Sequence, residues 1–281
     1  MKKVNRASLL FLIAISIMAI FAPWLPLANY QAMQPDLKLI EPQWTSAPYL
    51  GTDAQGRDLL SRLIYGARIS LSVGLFGSLV ALLIGIPYGA LAGIGSQRRD
   101  SFLMRIADAL ESIPMVVCIL FLLSILQEYR LELDAIGFGR LQLFFIAIGA
   151  LFWLPTARIV RAECRRIIKM PFIDAARSQG MSRLKIFTMH IFPLLIPSLG
   201  SVFIITLPRV ILMEAFLSYL GLGVEAPAVS WGRLASDGMA TLNPLVDANW
   251  TLYLPSLALI LTLMSIHSLA RRASNNVNLD T

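Results

Sequence analysis

The stretch Pro171-Phe172-Ile173-Asp174-Ala175-Ala176-Arg177-Ser178-Gln179-Gly180-Met181-Ser182, running on to His190-Ile191-Phe192-Pro193, decides how this chain is read. Pro171 suits a first helical turn, where its missing N–H has no partner to lose. Asp174 is favourable near the positive end of the helix dipole, and Ala175 and Ala176 are strong helix formers of minimal bulk. Gly180 can close the helix in a left-handed conformation, and Ser182 can cap a second one expected to end at Pro193. The pattern predicts helix, Gly hinge, helix. The two alanines are expected to let a partner surface approach closely, and the whole to act as a rigid protrusion that transmits force.

This basic segment, 161–190, lies between two apolar runs, and such runs recur along the chain. Six can be drawn as membrane-spanning helices, at about 8–28, 69–95, 106–127, 141–160, 191–218 and 252–270, each near the ~20 residues a hydrocarbon layer requires. The composition agrees: 57% of the 281 residues are apolar and 15% charged, with a mean hydropathy of +0.69, beyond the ~45–50% apolar of soluble domains. The expected architecture is an all-α membrane protein forming one domain over 1–281. The run at 8–28 exceeds the ~7–15 residues of a signal-peptide core, which predicts a retained first helix. Pro87 and Trp153-Leu154-Pro155 interrupt two runs, which neighbouring helices can tolerate.

The net charge of +7 reports topology rather than nucleic-acid binding, because the basic residues cluster between apolar runs. Lys2, Lys3 and Arg6, Arg98, Arg99 and Arg105, eight residues from Arg158 to Lys185, and Arg271 and Arg272 fall on one side if the N-terminus is inside. That is sixteen of the 24 lysines and arginines. Both termini and the 161–190 segment are therefore expected in the cytoplasm, and 29–68 outside. Within 29–68, Gly51, Thr52 and Asp53 favour a turn and a helix start, and Asp58 and Arg62 sit an i,i+4 step apart. A short helix lying on the outer membrane surface fits the apolar Leu59, Leu60, Leu63 and Ile64.

Small residues at Gly77, Ala81, Gly85, Gly89 and Gly93 form one stripe on the second run, which predicts close helix packing. Arg209 and Glu214 fall in the fifth run, where charges face a bundle interior, a pathway or a partner. About 140° apart around the helix, they do not pair with each other. Arg105, Asp108 and Glu111 are spaced for an i,i+3 surface pair. Cys118 and Cys164 suggest neither a disulfide framework nor a metal site, and His190 and His267 lack ligand-spaced neighbours. No lysine follows a glycine, so a phosphate-cradling P-loop is excluded.

Asp174-Ala175-Ala176, then Gly180, then His190-Ile191-Phe192-Pro193 resembles the EAA signature of ATP-binding-cassette importer permeases. Asp174 stands where that family usually has Glu, and Phe192 where Leu is commoner; His190 is typical of the peptide and nickel branch. Leu50-Gly51-Thr52-Asp53 with Gly56-Arg57-Asp58, Ser61-Arg62, Gly66 and Arg68-Ile69-Ser70-Leu71 resembles the C-type subunit of dipeptide and oligopeptide permeases. So do Met104-Arg105 and Asp108 before Ile113-Pro114, and Glu214-Ala215-Phe216-Leu217-Ser218-Tyr219-Leu220-Gly221-Leu222-Gly223 with Ser230-Trp231-Gly232.

The resemblance implies a type I importer permease fold in a bacterial inner membrane, with no catalysis and no cofactor on this chain. It implies a second homologous permease, two ATPase subunits that bind ATP and Mg, and an extracytoplasmic solute-binding protein. Asp174, Ala175, Ala176, Gly180, Met181 and Ser182 would form the coupling helix and its exit. Peptide is the implied cargo; nickel or another small solute of the same branch is the alternative. A stand-alone secondary transporter or an intramembrane enzyme would need paired acids, histidines or broken helices near the midplane. The sequence offers one arginine there.

Overall fold

The computed structural model describes residues 2–43, 45–135, 139–224, 226–242 and 247–277. The helices are α1 (Lys2–Phe21), α2 (Leu59–Ile94), α3 (Gln97–Glu111), α4 (Met115–Glu128), α5 (Arg130–Ala135), α6 (Arg140–Gly149), α7 (Trp153–Ile167), α8 (Pro171–Ser178), α9 (Arg183–Ile186), α10 (Phe192–Tyr219), α11 (Trp231–Met239) and α12 (Trp250–Val277). Among the described residues the one β-type pairing is an isolated bridge between Thr52 and Asp58.

Among the described residues, four helical stretches are long and apolar enough to cross a membrane: Arg6–Trp24, Leu59–Ile94, Arg183–Tyr219 and Trp250–Arg271. Two further candidates are bent pairs. The run expected at 106–127 is not one helix, because α3 and α4 meet at 89°. Pro114 lacks an N–H and disfavours a helical Ile113, so the helix stops at Glu111 and restarts at Met115. The run at 141–160 bends by 46° across residues 150–152, just before the expected Trp153-Leu154-Pro155. Pro155 instead falls in the first turn of α7, where it costs no hydrogen bond.

The separate surface helix expected before the second run does not exist either. Leu59 to Ile94 is one helix of 36 residues, about 54 Å at 1.5 Å per residue, against a hydrocarbon layer of ~30 Å. Nothing between Ile64 and Ser70 breaks it, and Gly66 is occupied by a neighbour, since an added Cβ would lie 3.3 Å from Trp231 Cδ1.

The chain divides into two compact units. One comprises Met1–Leu75 and Pro208–Leu269, the other Phe76–Leu207 and Ala270–Thr281. The first is organised on Trp231, 1% exposed, which packs with Leu59, Ala67, Val229 and Leu234. Its indole N–H donates to the Leu63 carbonyl at 3.0 Å and its backbone N–H to Ser70 Oγ at 3.1 Å.

In the second unit, α2 lies against α7 along the small-residue stripe. A Cβ added at Gly85 would sit 2.6 Å from Thr156 Cβ, at Gly89 2.8 Å from Val160 Cβ, and at Gly93 2.7 Å from Cys164 Cβ. Gly77 joins the stripe from the other side, its carbonyl oxygen 2.5 Å from where a Cβ on Gly149 would be. From Gly85 to Gly93 each contact steps four residues along both helices, so the α2 and α7 backbones meet over about two turns. Gly89→Leu should therefore force α2 and α7 apart at a cost of about 1–3 kcal/mol or more. The thermal midpoint of the detergent-solubilised chain reads this, and a midpoint equal to wild type would refute the contact.

Candidate functional site

The 171–193 segment belongs to the second unit, and short-range chemistry accounts for its shape. Pro171 opens α8 after an extended Met170, and Asp174 in the first turn accepts from Arg177 Nη1 at 3.1 Å. Both are exposed, so this pair contributes ~1 kcal/mol at most. At the other end Gly180 has φ +78°, its N–H donates to the Arg177 carbonyl at 2.9 Å, and the Met181 N–H donates to the Ala176 carbonyl at 3.2 Å. These two bonds form a Schellman closure. A Cβ at Gly180 would meet nothing within 4 Å, so glycine is required there by the backbone angle alone. Ser182 then caps α9, its hydroxyl accepting from Lys185 N at 3.3 Å.

Two expectations for this segment change. Ala176 does not face outward: with Ile173 it is buried among Ile167, Ile186 and Ile191, so its small size serves the chain's own packing. An i,i+3 pair on so short a helix must share one face. The outward face is Phe172, Asp174, Ala175, Arg177 and Ser178. Nor does the second helix stop at Pro193. α9 passes through a π turn at Phe187–Ile191 into α10, where the Phe192 N–H reaches back to the Phe187 carbonyl. That widened turn carries the helix past a proline that cannot donate.

The intramembrane charges have different surroundings. Arg209 is exposed on α10 and, among the described residues, makes no hydrogen bond or ion pair. Glu214 turns inward and is fully buried in the first unit, so it lines no outer face of this chain. Its carboxylate accepts from Ser218 Oγ at 2.7 Å and from Ser70 Oγ at 3.2 Å, and Ser230 Oγ lies 3.4 Å from Ser218 Oγ. The cluster ties α10 to α2 and to the start of α11. Ser70, Ser218 and Ser230 all stand in the motifs quoted above, but nothing in the sequence joins those three stretches at Glu214.

The first unit also holds a charged cluster whose Asp53, Arg57 and Arg62 stand in the quoted motifs, but whose convergence with Asp237 the sequence does not show. Asp53, 4% exposed, accepts from Gln55 N at 2.8 Å, Arg57 N at 3.0 Å, Arg57 Nε at 2.7 Å and Arg62 Nη1. Arg62 also reaches Asp237 of α11 at 3.2 Å, and Arg233 Nε donates to the same carboxylate at 3.1 Å. Arg62 therefore does not pair with Asp58, which instead caps α2 by accepting from Ser61 N and Oγ. Gly51 and Gly56, both at φ +74°, and Thr52, whose hydroxyl accepts from Ile40 N at 2.8 Å, shape the loop that presents Asp53. Beside the cluster lies a cavity of about 150 Å³ lined also by Leu234, Thr241 and Thr251.

In the second unit Asp108 and Glu111 do not pair with Arg105. Both accept from Arg158 Nη2, at 2.8 Å for Asp108, while Asp100 takes Arg161 and, at 2.8 Å, Arg165. The ion pairs run between α3 and α7 rather than within α3.

Comparison with known proteins identifies the family. Residues 85–278 match the family described as binding-protein-dependent transport system inner membrane component. The chain is 36% identical over 263 residues to the oligopeptide transport system permease protein OppC of Haemophilus influenzae, covering 92% of this chain and 80% of that one. To OppC of Escherichia coli K12 it is 37% identical, covering 92% and 80%. To the dipeptide transport system permease protein DppC of Bacillus subtilis it is 31% identical, covering 95% and 79%. Among solved structures it shares the fold of a chain of the inward-facing MetNI methionine ABC transporter, with a TM-score of 0.52 and 16% identity, covering 75% of this chain and 96% of that one.

Proposed function

Because the chain belongs to the binding-protein-dependent transport system inner membrane components, as a permease subunit of an ABC importer, we propose that it carries peptides, from dipeptides to oligopeptides, across the bacterial inner membrane. It does so as half of a translocation pathway whose other half is a second, homologous permease. In this reading there are six crossings, one in each of the bent pairs α3–α4 and α6–α7; the even number keeps both termini on one side, and the clustered lysines and arginines assign that side to the cytoplasm. The residues 278–281 lie outside the described residues. The whole chain acts as one permease domain, and a solute-binding protein delivers cargo to the 29–68 side.

The observation that carries the power source is the outward face of α8. Phe172, Asp174, Ala175 and Arg177 stand exposed on a helix whose other face is locked into the chain by Ile173 and Ala176. A short rigid element, buried on one side and bare on the other, suits a groove in an ATPase subunit. ATP and Mg are bound and hydrolysed on two such subunits, and nucleotide-driven closure shifts the protrusions between two states of the pathway. Gly180, Met181 and Ser182 set the exit angle.

Affinity purification of the tagged full chain from its own host tests this. The second permease and the ATPases should co-purify, and reconstituted vesicles should accumulate labelled peptide only with ATP on the α8 side. Purification alone, or uptake driven without ATP, would overturn it.

A further inference from the structure

Helix α3 is held on one face and bare on the other. On the held face, Asp100 takes Arg161 and Arg165, Asp108 and Glu111 take Arg158, Ala107 is buried, and Tyr88 Oη donates to the Leu103 carbonyl at 2.6 Å. On the adjoining face Phe102, Ile106 and Leu110, with Ile113 just past the helix end, are 63%, 39%, 43% and 44% exposed. At about 100° per residue the three on α3 fall within an arc of about 80°, a continuous apolar stripe. Three arginines border it. Arg98 and Arg105 lie along one flank and Arg99 at its N-terminal end, all exposed and, among the described residues, without an ion pair.

The bend says where this stripe lies. α4 is the apolar member of the pair, and α3 leaves it at 89°. If α4 runs into the bilayer, α3 runs along its surface, where an apolar stripe can turn to the hydrocarbon and bordering arginines to the headgroups. An apolar face would suit either a protein or a lipid. The unpaired guanidinium border favours lipid, because an anionic headgroup layer supplies the missing counter-charges.

We propose that α3 is an interfacial helix that beds Phe102, Ile106 and Leu110 into the cytoplasmic leaflet and binds anionic lipid headgroups through Arg98, Arg99 and Arg105. The proposal rests on the membrane reading of the chain. It adds a lipid-binding surface next to α7, and so beside the root of α8. Anionic lipid would then steady the helix from which the coupling segment emerges.

The test is nitroxide scanning of the full chain in a Cys118→Ser, Cys164→Ser background. Labels are placed one at a time through Phe102→Cys, Ile106→Cys and Leu110→Cys, with Phe121→Cys on α4 as a bilayer reference. Vesicles of phosphatidylcholine are compared with vesicles that also contain phosphatidylglycerol. The three α3 labels should collide with oxygen more than with a water-soluble nickel chelate, at a shallower depth than the Phe121 label, and should deepen when phosphatidylglycerol is present. R98Q/R99Q/R105Q should lose the phosphatidylglycerol effect, and R98K/R99K/R105K should keep it.

Labels on α3 open to the nickel chelate would place the helix in water and overturn the proposal. Labels shielded from both reagents would mean that protein covers the stripe, and would also overturn it. Retention of the phosphatidylglycerol effect in the glutamine variant would remove the arginines from the site. If the Phe121 label is itself open to nickel, the membrane reading fails instead, and the two failures are told apart.

Discussion

Asp53→Ala is expected to unfold the first unit at a much lower temperature than wild type, with a loss of about 3–5 kcal/mol. The magnitude follows from what the substitution strands. Asp53 is the common acceptor for Arg57 and Arg62 and for two backbone amides. Its removal leaves the Arg62 side chain, 5% exposed, with Asp237 as its remaining partner at 3.2 Å. A buried guanidinium cannot escape by losing its proton, so its desolvation is offset by Asp237 alone. Asp53→Asn keeps the amide acceptor and loses the charge, and should fall between the two. Arg233→Ala removes the outermost cation, 36% exposed, and should cost ~1 kcal/mol or less. Thermal unfolding in detergent, followed for all three, checks the order. An Asp53→Ala midpoint equal to that of Arg233→Ala would show that the cluster is not structural.

Neighbouring alanines should fail in opposite ways. Ala175→Trp adds a large ring to the outward face of α8, where there is space in this chain but none against a docked subunit. Folding and membrane insertion should be normal, while ATP-driven uptake falls. An overpacking cost of about 1–3 kcal/mol at the contact corresponds to roughly 5- to 150-fold. Ala176→Trp drives the same ring into Ile173, Ile186 and Ile191, and should destabilise the chain itself before any partner is met. Measuring abundance, thermal midpoint and uptake for both variants separates docking from packing. Wild-type uptake in Ala175→Trp, or a stable Ala176→Trp chain, would refute the assignment of faces.

What could be read in the residues was local. Pro171, Gly180 and Ser182 each act on backbone groups within about four residues, through a missing N–H, a permitted positive φ and a capping oxygen. The helix–Gly–helix form was therefore legible without tertiary contacts. Apolar runs are similarly self-declaring, because a span needs only length and composition. Breaks were less so: the run at 106–127 was drawn through Pro114, and an 89° bend depends on how α3 and α4 each find their neighbours.

By itself, the sequence determined an all-helical membrane chain, the stripe from Gly77 to Gly93, and a motif set resembling importer permeases of the peptide branch. All of these are periodicities or short patterns, which survive without knowledge of who packs on whom. Only the tertiary structure decided that Ala176 turns inward and Ala175 outward, that Glu214 is enclosed by Ser70 and Ser218, and that Arg62 answers to Asp53 and Asp237 rather than to Asp58. The reason is range. A carboxylate accepts from whichever donor the fold brings within 3 Å, and Arg62 and Asp237 are 175 residues apart along the chain.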